Sequence, residues 1–325
     1  MNVIEVKDLC KTFKVKEKEK GFKGSIKSIF KTKYKITEAV KNINFEVEKG
    51  EMIAFIGPNG AGKSTTIKMM TSILYPDKGD IKVLGLNPSK DRKKLSYEIG
   101  TVFGQKEQLW THLTPYDNFK FFGAVYDIPD KALERKIEEL SNTFELGSFI
   151  NTPVRNLSLG QRIRCEIVAS LIHDPKILFL DEPTIGLDPV VKENIRTLIK
   201  RMNKEYKTTI FLTSHDVGDI EKLCKRVIII NNGQLVLDDT MENLKYHYLN
   251  KKIIEAKMKD KINLDDEDGI TVLKDKGYNL KLEVDTKKRT ISDAIKLLDP
   301  DKIIDINISN IPLEDIISDI YKNQV

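Results

Sequence analysis

The hydrophobic and polar positions between residues 53 and 240 form short apolar runs separated by longer, helix-like stretches. The β-rich runs are Ile81 to Leu84, Ile99 to Phe103, Ile177 to Leu180, Thr209 to Thr213, Arg226 to Ile230 and Gln234 to Asp238. Each run has the size of a strand and is too short to cross a bilayer. Their alternation with helical segments predicts a wound α/β core.

Two segments depart from this alternation. Between residues 114 and 171, apolar residues recur at three- and four-residue spacing, as in Leu133, Ile137, Leu140 and Phe144. This spacing predicts an inserted helical subdomain at about residues 105–172. After residue 243 we expect strands near 253–258, 280–284 and 303–309, with helices near 291–298 and 313–321. The chain therefore divides into a main domain at 1–243 and a small α+β domain at 244–325.

A basic insert at residues 14–36 separates an expected strand at 2–13 from two expected strands within 43–56. Phe22, Ile26, Ile29 and Phe30 would share one face of a helix over 21–36, with lysines on much of the remainder. Residues 11–36 hold ten lysines against two glutamates, so the net charge of +5 is concentrated there. Two interpretations stay open: the insert lies against an anionic membrane surface, or it packs its apolar residues on the core.

The overall composition is that of a folded globular chain, with 40% hydrophobic and 32% charged residues. The N-terminus lacks the basic and apolar regions of a secretion signal, so we expect a cytoplasmic protein. Cys10, Cys165 and Cys224 are isolated from one another and from any histidine at metal-ligand spacing. We expect them to be reduced thiols rather than disulfides or metal ligands.

A glycine-rich loop follows the apolar strand at residues 53–56. It comprises Gly57, Pro58, Asn59, Gly60, Ala61, Gly62, Lys63, Ser64 and Thr65. A strand, this G-x-x-x-x-G-K-[ST] pattern and a following helix together predict a nucleotide-binding phosphate loop. Its backbone N–H groups would wrap the phosphates, Lys63 would reach the outer phosphates of ATP, and Ser64 would ligate Mg²⁺.

A second acidic motif completes this prediction. Asp181 and Glu182 follow the apolar strand at 177–180, which places both carboxylates at the edge of the sheet where open α/β folds bind ligands. We expect Asp181 to hold hydrated Mg²⁺ and Glu182 to act as general base on the attacking water.

The segment Leu157-Ser158-Leu159-Gly160-Gln161 resembles the signature sequence of the ABC ATPases. The resemblance spans roughly residues 2–240 and implies a P-loop NTPase core with an antiparallel β-subdomain and a helical subdomain. It also implies that Ser158, Gly160 and Gln161 meet the nucleotide held by an opposing subunit. The same geometry would let Ser158 cap its own helix, and both roles are compatible.

Further positions follow from the same resemblance. Gln105 matches the glutamine loop that joins Mg²⁺ and the lytic water to the transporter interface, and Asp188 ends the loop that crosses between subunits. His215 matches the histidine that contacts the γ-phosphate. Phe13 is the expected aromatic for stacking on adenine, with Tyr34 as the alternative; a core phenylalanine is the competing interpretation of Phe13.

The resemblance implies an ATP- and Mg²⁺-dependent transport ATPase that pairs with a second cassette and with integral membrane permease subunits. The insert, residues 102–110 and the ending at 311–317 are similar to ABC-2-type exporter ATPases, which places the protein at the inner face of the membrane. The alternative is a soluble ABC ATPase acting on ribosomes or nucleic acid, supported by the lysine-rich insert alone. A P-loop kinase or GTPase would leave the signature and His215 without roles.

Overall fold

The computed structural model describes residues 1–16, 34–104, 106–247, 250–261 and 264–322. The chain divides into two compact units, Met1–Asp239 and Thr240–Val325. Both units contain a sheet with helices, which confirms the predicted α/β fold class with a small α+β appendage. Among the described residues, no helix combines the length and apolar character that a membrane span requires.

A six-stranded sheet forms the centre of the first unit. Its strands are β3 (Met52–Ile56), β5 (Ile99–Phe103), β6 (Ile177–Asp181), β7 (Thr209–Thr213), β8 (Arg226–Asn231) and β9 (Gln234–Thr240), in the order β5-β6-β7-β3-β8-β9. The pairs that join β5 through β8 are parallel. Because both faces are covered, the strands read as continuous apolar runs, and Phe55, Phe179 and Phe211 are buried at its centre. The carboxyl ends of these parallel strands therefore meet at one edge.

An antiparallel sheet of β1 (Asn2–Lys16), β2 (Tyr34–Glu48) and β4 (Lys78–Val83) packs its apolar residues into the same core. The helix predicted over 21–36 is wrong at its end, because Tyr34 pairs with Lys16 and Ile36 with Lys14 as an extension of the β1/β2 hairpin. Pairing satisfies the backbone groups of both segments, which a single helical turn at 34–36 would not. The remainder of the insert predicted at 14–36, residues 17–33, lies outside the described residues.

Helices surround the six-stranded sheet or form the inserted subdomain. They are α1 (Lys63–Met70), α2 (Arg92–Ser96), α3 (Pro115–Val125), α4 (Asp130–Thr143), α5 (Leu159–Leu171), α6 (Pro189–Tyr206) and α7 (Val217–Leu223). The α4 helix buries Leu133, Ile137 and Leu140 on one face, as their spacing predicts. Thr114 and Asp117 cap α3 reciprocally, which explains where that helix begins.

The second unit is an antiparallel sheet with the strand order β11-β12-β10-β13. The strands are β10 (Lys251–Met258), β11 (Ile270–Asp275), β12 (Asn279–Asp285) and β13 (Ile303–Asn310), and the helices are α8 (Met241–His247), α9 (Ile291–Leu297) and α10 (Leu313–Lys322). Ile254, Leu282 and Leu298 are among the residues of its separate core. Strand β11 was not predicted, because only Ile270 and Val272 of its six residues are buried or half-buried and the other four are exposed.

Candidate nucleotide site

The loop that joins β3 to α1 is held against its neighbours by glycines that leave no room for side chains. A Cβ atom on Gly57 would lie 2.1 Å from the carbonyl oxygen of Ile230, and one on Gly62 would lie 2.4 Å from that of Ala39. Gly62 also has a φ of +108°, which residues with side chains rarely adopt. The backbone of the loop therefore leads directly into the N-terminus of α1. Backbone N–H groups at a helix N-terminus are suited to binding phosphate.

The remaining loop residues differ in their exposure. Asn59, Gly60 and Ser64 are exposed, Pro58 and Thr65 are half-buried, and Ala61 is buried. The Ala61 N–H donates to the carbonyl of Pro58, and its carbonyl accepts from the N–H of Gly233. These contacts hold the middle of the loop in place.

Lys63 lies folded against this loop and is 6% exposed. Its Nζ donates to the carbonyl oxygens of Gly57 at 2.5 Å and Pro58 at 3.2 Å. Burial lowers the pKa of the Lys63 ammonium, while the nearby carboxylates of Glu182 and Asp181 oppose this shift. The cation is therefore held at the phosphate loop beside two carboxylates.

Asp181 ends β6 and is contacted from two other parts of the sheet edge. The Ser64 hydroxyl donates to one of its carboxylate oxygens at 3.4 Å, and the Thr213 hydroxyl donates to the other. The Gly104 N–H donates to its carbonyl oxygen at 2.9 Å. Residues that are 117 and 32 positions away in sequence thus meet at one carboxylate.

Glu182 and His215 meet directly beyond this point. The distance between His215 Nε2 and Glu182 Oε1 is 2.8 Å, and the side chains are 43% and 12% exposed. The Glu182 backbone has a φ of +55°, a strained value for a residue with a side chain. Its N–H donates to the carbonyl of Thr213 at 3.0 Å, which helps hold this conformation.

A cleft of about 240 Å³ opens over these groups. Its lining consists of Ser64, Lys68, Ile73, Phe103, Lys106, Asp181 and Glu182. One hydroxyl and one carboxylate at 3.4 Å are hard oxygen donors, and Mg²⁺ is usually held by one or two protein oxygens together with water and substrate phosphates. The donor set therefore fits Mg²⁺ delivered with a nucleotide.

The residues of the signature motif lie at the start of α5. The N–H of Gln161 donates to Ser158 Oγ at 3.3 Å, and the N–H of Ser158 donates to Gln161 Oε1 at 2.9 Å, so the two side chains cap the helix reciprocally. A Cβ on Gly160 would lie 2.5 Å from Val191 Cγ1, so glycine lets α5 approach α6 closely. Asp188 caps α6 by accepting from the N–H of Val191 at 3.1 Å.

The structure thus forms two groups of predicted site residues. Lys63, Ser64, Asp181, Glu182 and His215 meet at the sheet edge, whereas Ser158, Gly160, Gln161 and Asp188 lie at the starts of α5 and α6. Gln105 lies outside the described residues.

The two candidate aromatic residues lie on opposite strands of the β1/β2 hairpin. Phe13 is half-buried and pairs with Thr37, whereas Tyr34 is 54% exposed and pairs with Lys16. Phe13 is therefore the nearer of the two along the hairpin to Ala39, which contacts the phosphate loop.

Comparison with known proteins decides what kind of nucleotide site this is. Residues 40–185 match the family model of the ABC transporter. The ABC transporter ATP-binding protein NatA of Bacillus subtilis (strain 168) is 35% identical over 215 residues, which cover 66% of this chain and 87% of NatA. The chain belongs to the ABC transporter ATP-binding proteins. It is an ATPase of that family, as the resemblance in the signature region implied.

Two further matches agree with this assignment. The probable multidrug ABC transporter ATP-binding protein YbhF of Escherichia coli (strain K12) is 37% identical over 207 residues, covering 64% of this chain and 35% of YbhF. The solved dimeric, post-hydrolysis ATP-binding cassette MJ0796, bound to ADP and Pi, has a TM-score of 0.61 at 25% identity and covers 73% of this chain and 98% of its own. The ABC ATPase fold is therefore shared over about three quarters of the chain.

Several polar residues around the site of this ABC ATPase were missed in the sequence. Thr213 contacts Asp181, and Thr184 and Ser214 both donate to the buried carboxylate of Asp219. Each follows the end of a predicted strand or lies near a predicted motif residue. Only the order of strands in the sheet, which the sequence pattern does not supply, would have identified them as neighbours.

Proposed function

We propose that this ABC ATPase drives an exporter by binding ATP and Mg²⁺ between two cassettes, each of which completes the site of the other. Hydrolysis then separates the cassettes, and separate membrane permease subunits convert this cycle into movement of a substrate. The partner cassette is a second copy of this chain or a close relative.

The phosphate loop and Lys63 supply ATP binding in this proposal. Backbone N–H groups and the N-terminus of α1 face the phosphates, while Lys63 exchanges its carbonyl contacts for the outer phosphate oxygens. This exchange is favourable because a buried ammonium gains a charged partner in place of neutral ones. Phe13 stacks on the adenine ring.

Ser64 and Asp181 would hold Mg²⁺. Gln105 would bind the same ion, because it matches the glutamine loop of the ABC ATPases. Mg²⁺ would neutralise charge on the phosphates. Thr213 orients Asp181 by donating to the oxygen that does not face Ser64. The carboxylate is thereby aimed at the phosphate loop.

Glu182 takes a proton from the attacking water, and His215 stabilises the γ-phosphate. The 2.8 Å contact between these side chains is the observation that carries the hydrolytic assignment, because it places a base and a hydrogen-bond donor beside the phosphate loop. At 12% exposure, the Glu182 side chain is largely shielded from bulk solvent.

The second cassette contributes Ser158, Gly160 and Gln161. Ser158 is exposed at the N-terminus of the 13-residue helix α5, where a phosphate of a facing nucleotide would meet the helix dipole and a hydroxyl. Asp188 lies at the neighbouring helix start and belongs to the loop that would cross between cassettes. The dimeric MJ0796 structure supports this pairing by similarity.

The permease partner is supported by an exposed aromatic pair on the helical subdomain. Trp110 is 56% and Phe121 40% exposed, and their ring centroids are 4.9 Å apart. Exposed aromatic patches of this kind mark protein interfaces. The name of YbhF, a probable multidrug ABC transporter ATP-binding protein, supports a role in transport by similarity.

Mixing two defective variants tests the shared site. Lys63→Ala disables the phosphate loop, while Ser158→Asp keeps a good helix cap but opposes the phosphate with a negative charge. Each variant alone should hydrolyse ATP very slowly. In an equal mixture, half of the dimers contain one intact site, so about a quarter of wild-type activity should return.

Two results would contradict the proposal. Ser158→Asp with wild-type activity would show that the signature does not contact nucleotide. No recovery on mixing, with heterodimers demonstrated by differential tags, would show that the sites are not shared.

A further inference from the structure

A buried carboxylate joins the two loops that carry the reacting groups. Asp219 lies on α7 and is 0% exposed. Its Oδ2 accepts a hydrogen bond from Ser214 Oγ at 2.7 Å and another from Thr184 Oγ1. Ser214 directly precedes His215, and Thr184 comes two residues after Glu182. One carboxylate oxygen thus ties both loops to the same point.

The other carboxylate oxygen of Asp219 is bound by a residue of α6. Arg196 Nε donates to Asp219 Oδ1 at 2.6 Å, and Arg196 Nη2 donates to Asp216 Oδ1 at 3.1 Å. Arg196 is itself 7% exposed. Charges buried this deeply are held only when they are paired and hydrogen-bonded. The loop around His215 is therefore fixed on both sides, by Ser214 and by Asp216.

We infer that Asp219 is a positioning residue for hydrolysis, which holds the loops of Glu182 and His215 at the separation that brings their side chains together. The inference rests on the roles proposed for those two residues. Asp219 acts through the hydroxyls of Thr184 and Ser214. A displacement of about 1 Å at a reacting group lowers a rate by up to about 10²-fold.

Asp219→Asn is the direct test, because asparagine has a similar shape but cannot accept from two hydroxyls and a guanidinium together. We expect kcat to fall roughly 10- to 100-fold, while the Kd for a fluorescent ATP analogue with Mg²⁺ changes less than threefold. ATP binding should be spared because the hydrogen bonds of Asp219 go to Thr184, Ser214 and Arg196 and not to the phosphate loop. Ile199→Val, buried on α6 outside the network, is the matched control for lost stability.

Thr184→Val and Ser214→Ala extend the test if Asp219→Asn does not fold. Each removes one hydroxyl and should lower kcat several-fold, again without weakening nucleotide binding. In a Glu182→Gln background, Asp219→Asn should slow the residual hydrolysis by a smaller factor than in the wild-type background, because one of the two groups that it positions is already absent.

The outcomes separate this inference from the function on which it rests. If Glu182→Gln abolishes hydrolysis but Asp219→Asn, Thr184→Val and Ser214→Ala keep wild-type kcat, Asp219 has no positioning role. The same conclusion follows if kcat falls only in proportion to the melting temperature, as in Ile199→Val. If Glu182→Gln itself hydrolyses ATP normally, the proposed function fails first.

Discussion

His215 Nε2 lies 2.8 Å from Glu182 Oε1, although 33 positions separate the two residues in sequence. Each residue follows the end of a strand, and these strands, β6 and β7, are neighbours in the parallel sheet. The contact therefore depends on strand order. The contact places a carboxylate and an imidazole beside the phosphate loop.

The first prediction concerns the base. Glu182→Gln should lower kcat for ATP by about 10²- to 10⁴-fold, because the amide cannot accept the proton of the attacking water. ATP should still bind, since Lys63 and the phosphate loop are unchanged. Size-exclusion chromatography with ATP and Mg²⁺ should show a stable dimer, and a protein that remains monomeric under these conditions would contradict the shared-site arrangement.

The second prediction concerns Lys63. Lys63→Ala should weaken ATP binding roughly 10- to 150-fold, because a charge-assisted hydrogen bond to phosphate is lost. Titration with a fluorescent nucleotide measures this loss. Lys200→Ala, which removes an exposed lysine on α6, is the matched control and should bind normally. Equal affinities for the two variants would exclude the assigned role of Lys63.

The third prediction uses Glu166, which is buried on α5 and accepts a hydrogen bond from the Gln108 N–H at 3.4 Å. Burial raises the pKa of Glu166 from 4.5 to about 7, with the Gln108 N–H and Arg162 opposing the shift. The folded protein therefore binds this proton more tightly than the unfolded chain. The stabilising effect of protonated Glu166 on the fold is complete below pH 4.5 and is lost as pH rises to about 7.

Glu166→Gln should remove this dependence and raise the free energy of unfolding at about pH 8, by at most about 3 kcal/mol. Urea unfolding of both proteins at about pH 5.5 and pH 8 measures the difference. Glu138→Gln, an exposed change on α4, should keep the wild-type pH dependence. An unaltered pH slope in Glu166→Gln would show that Glu166 does not titrate in this range.

The fourth prediction concerns the lysine-rich insert, most of which lies outside the described residues. Changing Lys23, Lys27 and Lys31 to glutamine should weaken binding to anionic vesicles at least tenfold, because each lysine near such a surface contributes about 1 kcal/mol. Neutral vesicles and high salt are the controls. Unchanged vesicle binding would favour packing of the insert on the core, and selective loss of RNA binding would favour the alternative class of ABC protein.

The sequence by itself was sufficient to predict the family and the fold class. The phosphate loop depends on local properties, since glycine conformations and a following helix create the N–H cradle wherever they occur. The acidic pair after the strand at 177–180 and the serine at the start of α5 are equally local signals. The pairing of residues 34–36 with 14–16 was not predicted, because lysines and apolar residues there also fit a helical face.

Tertiary structure alone decided which distant groups meet. The contacts of Asp181 with Thr213, of Glu182 with His215 and of Asp219 with two loops all depend on the strand order β6-β7-β3, which no local pattern encodes. Parallel strands require long crossovers, so neighbours in the sheet are far apart in the chain. The motifs can therefore be recognised in the sequence, whereas the contacts between their side chains form only when the sheet assembles.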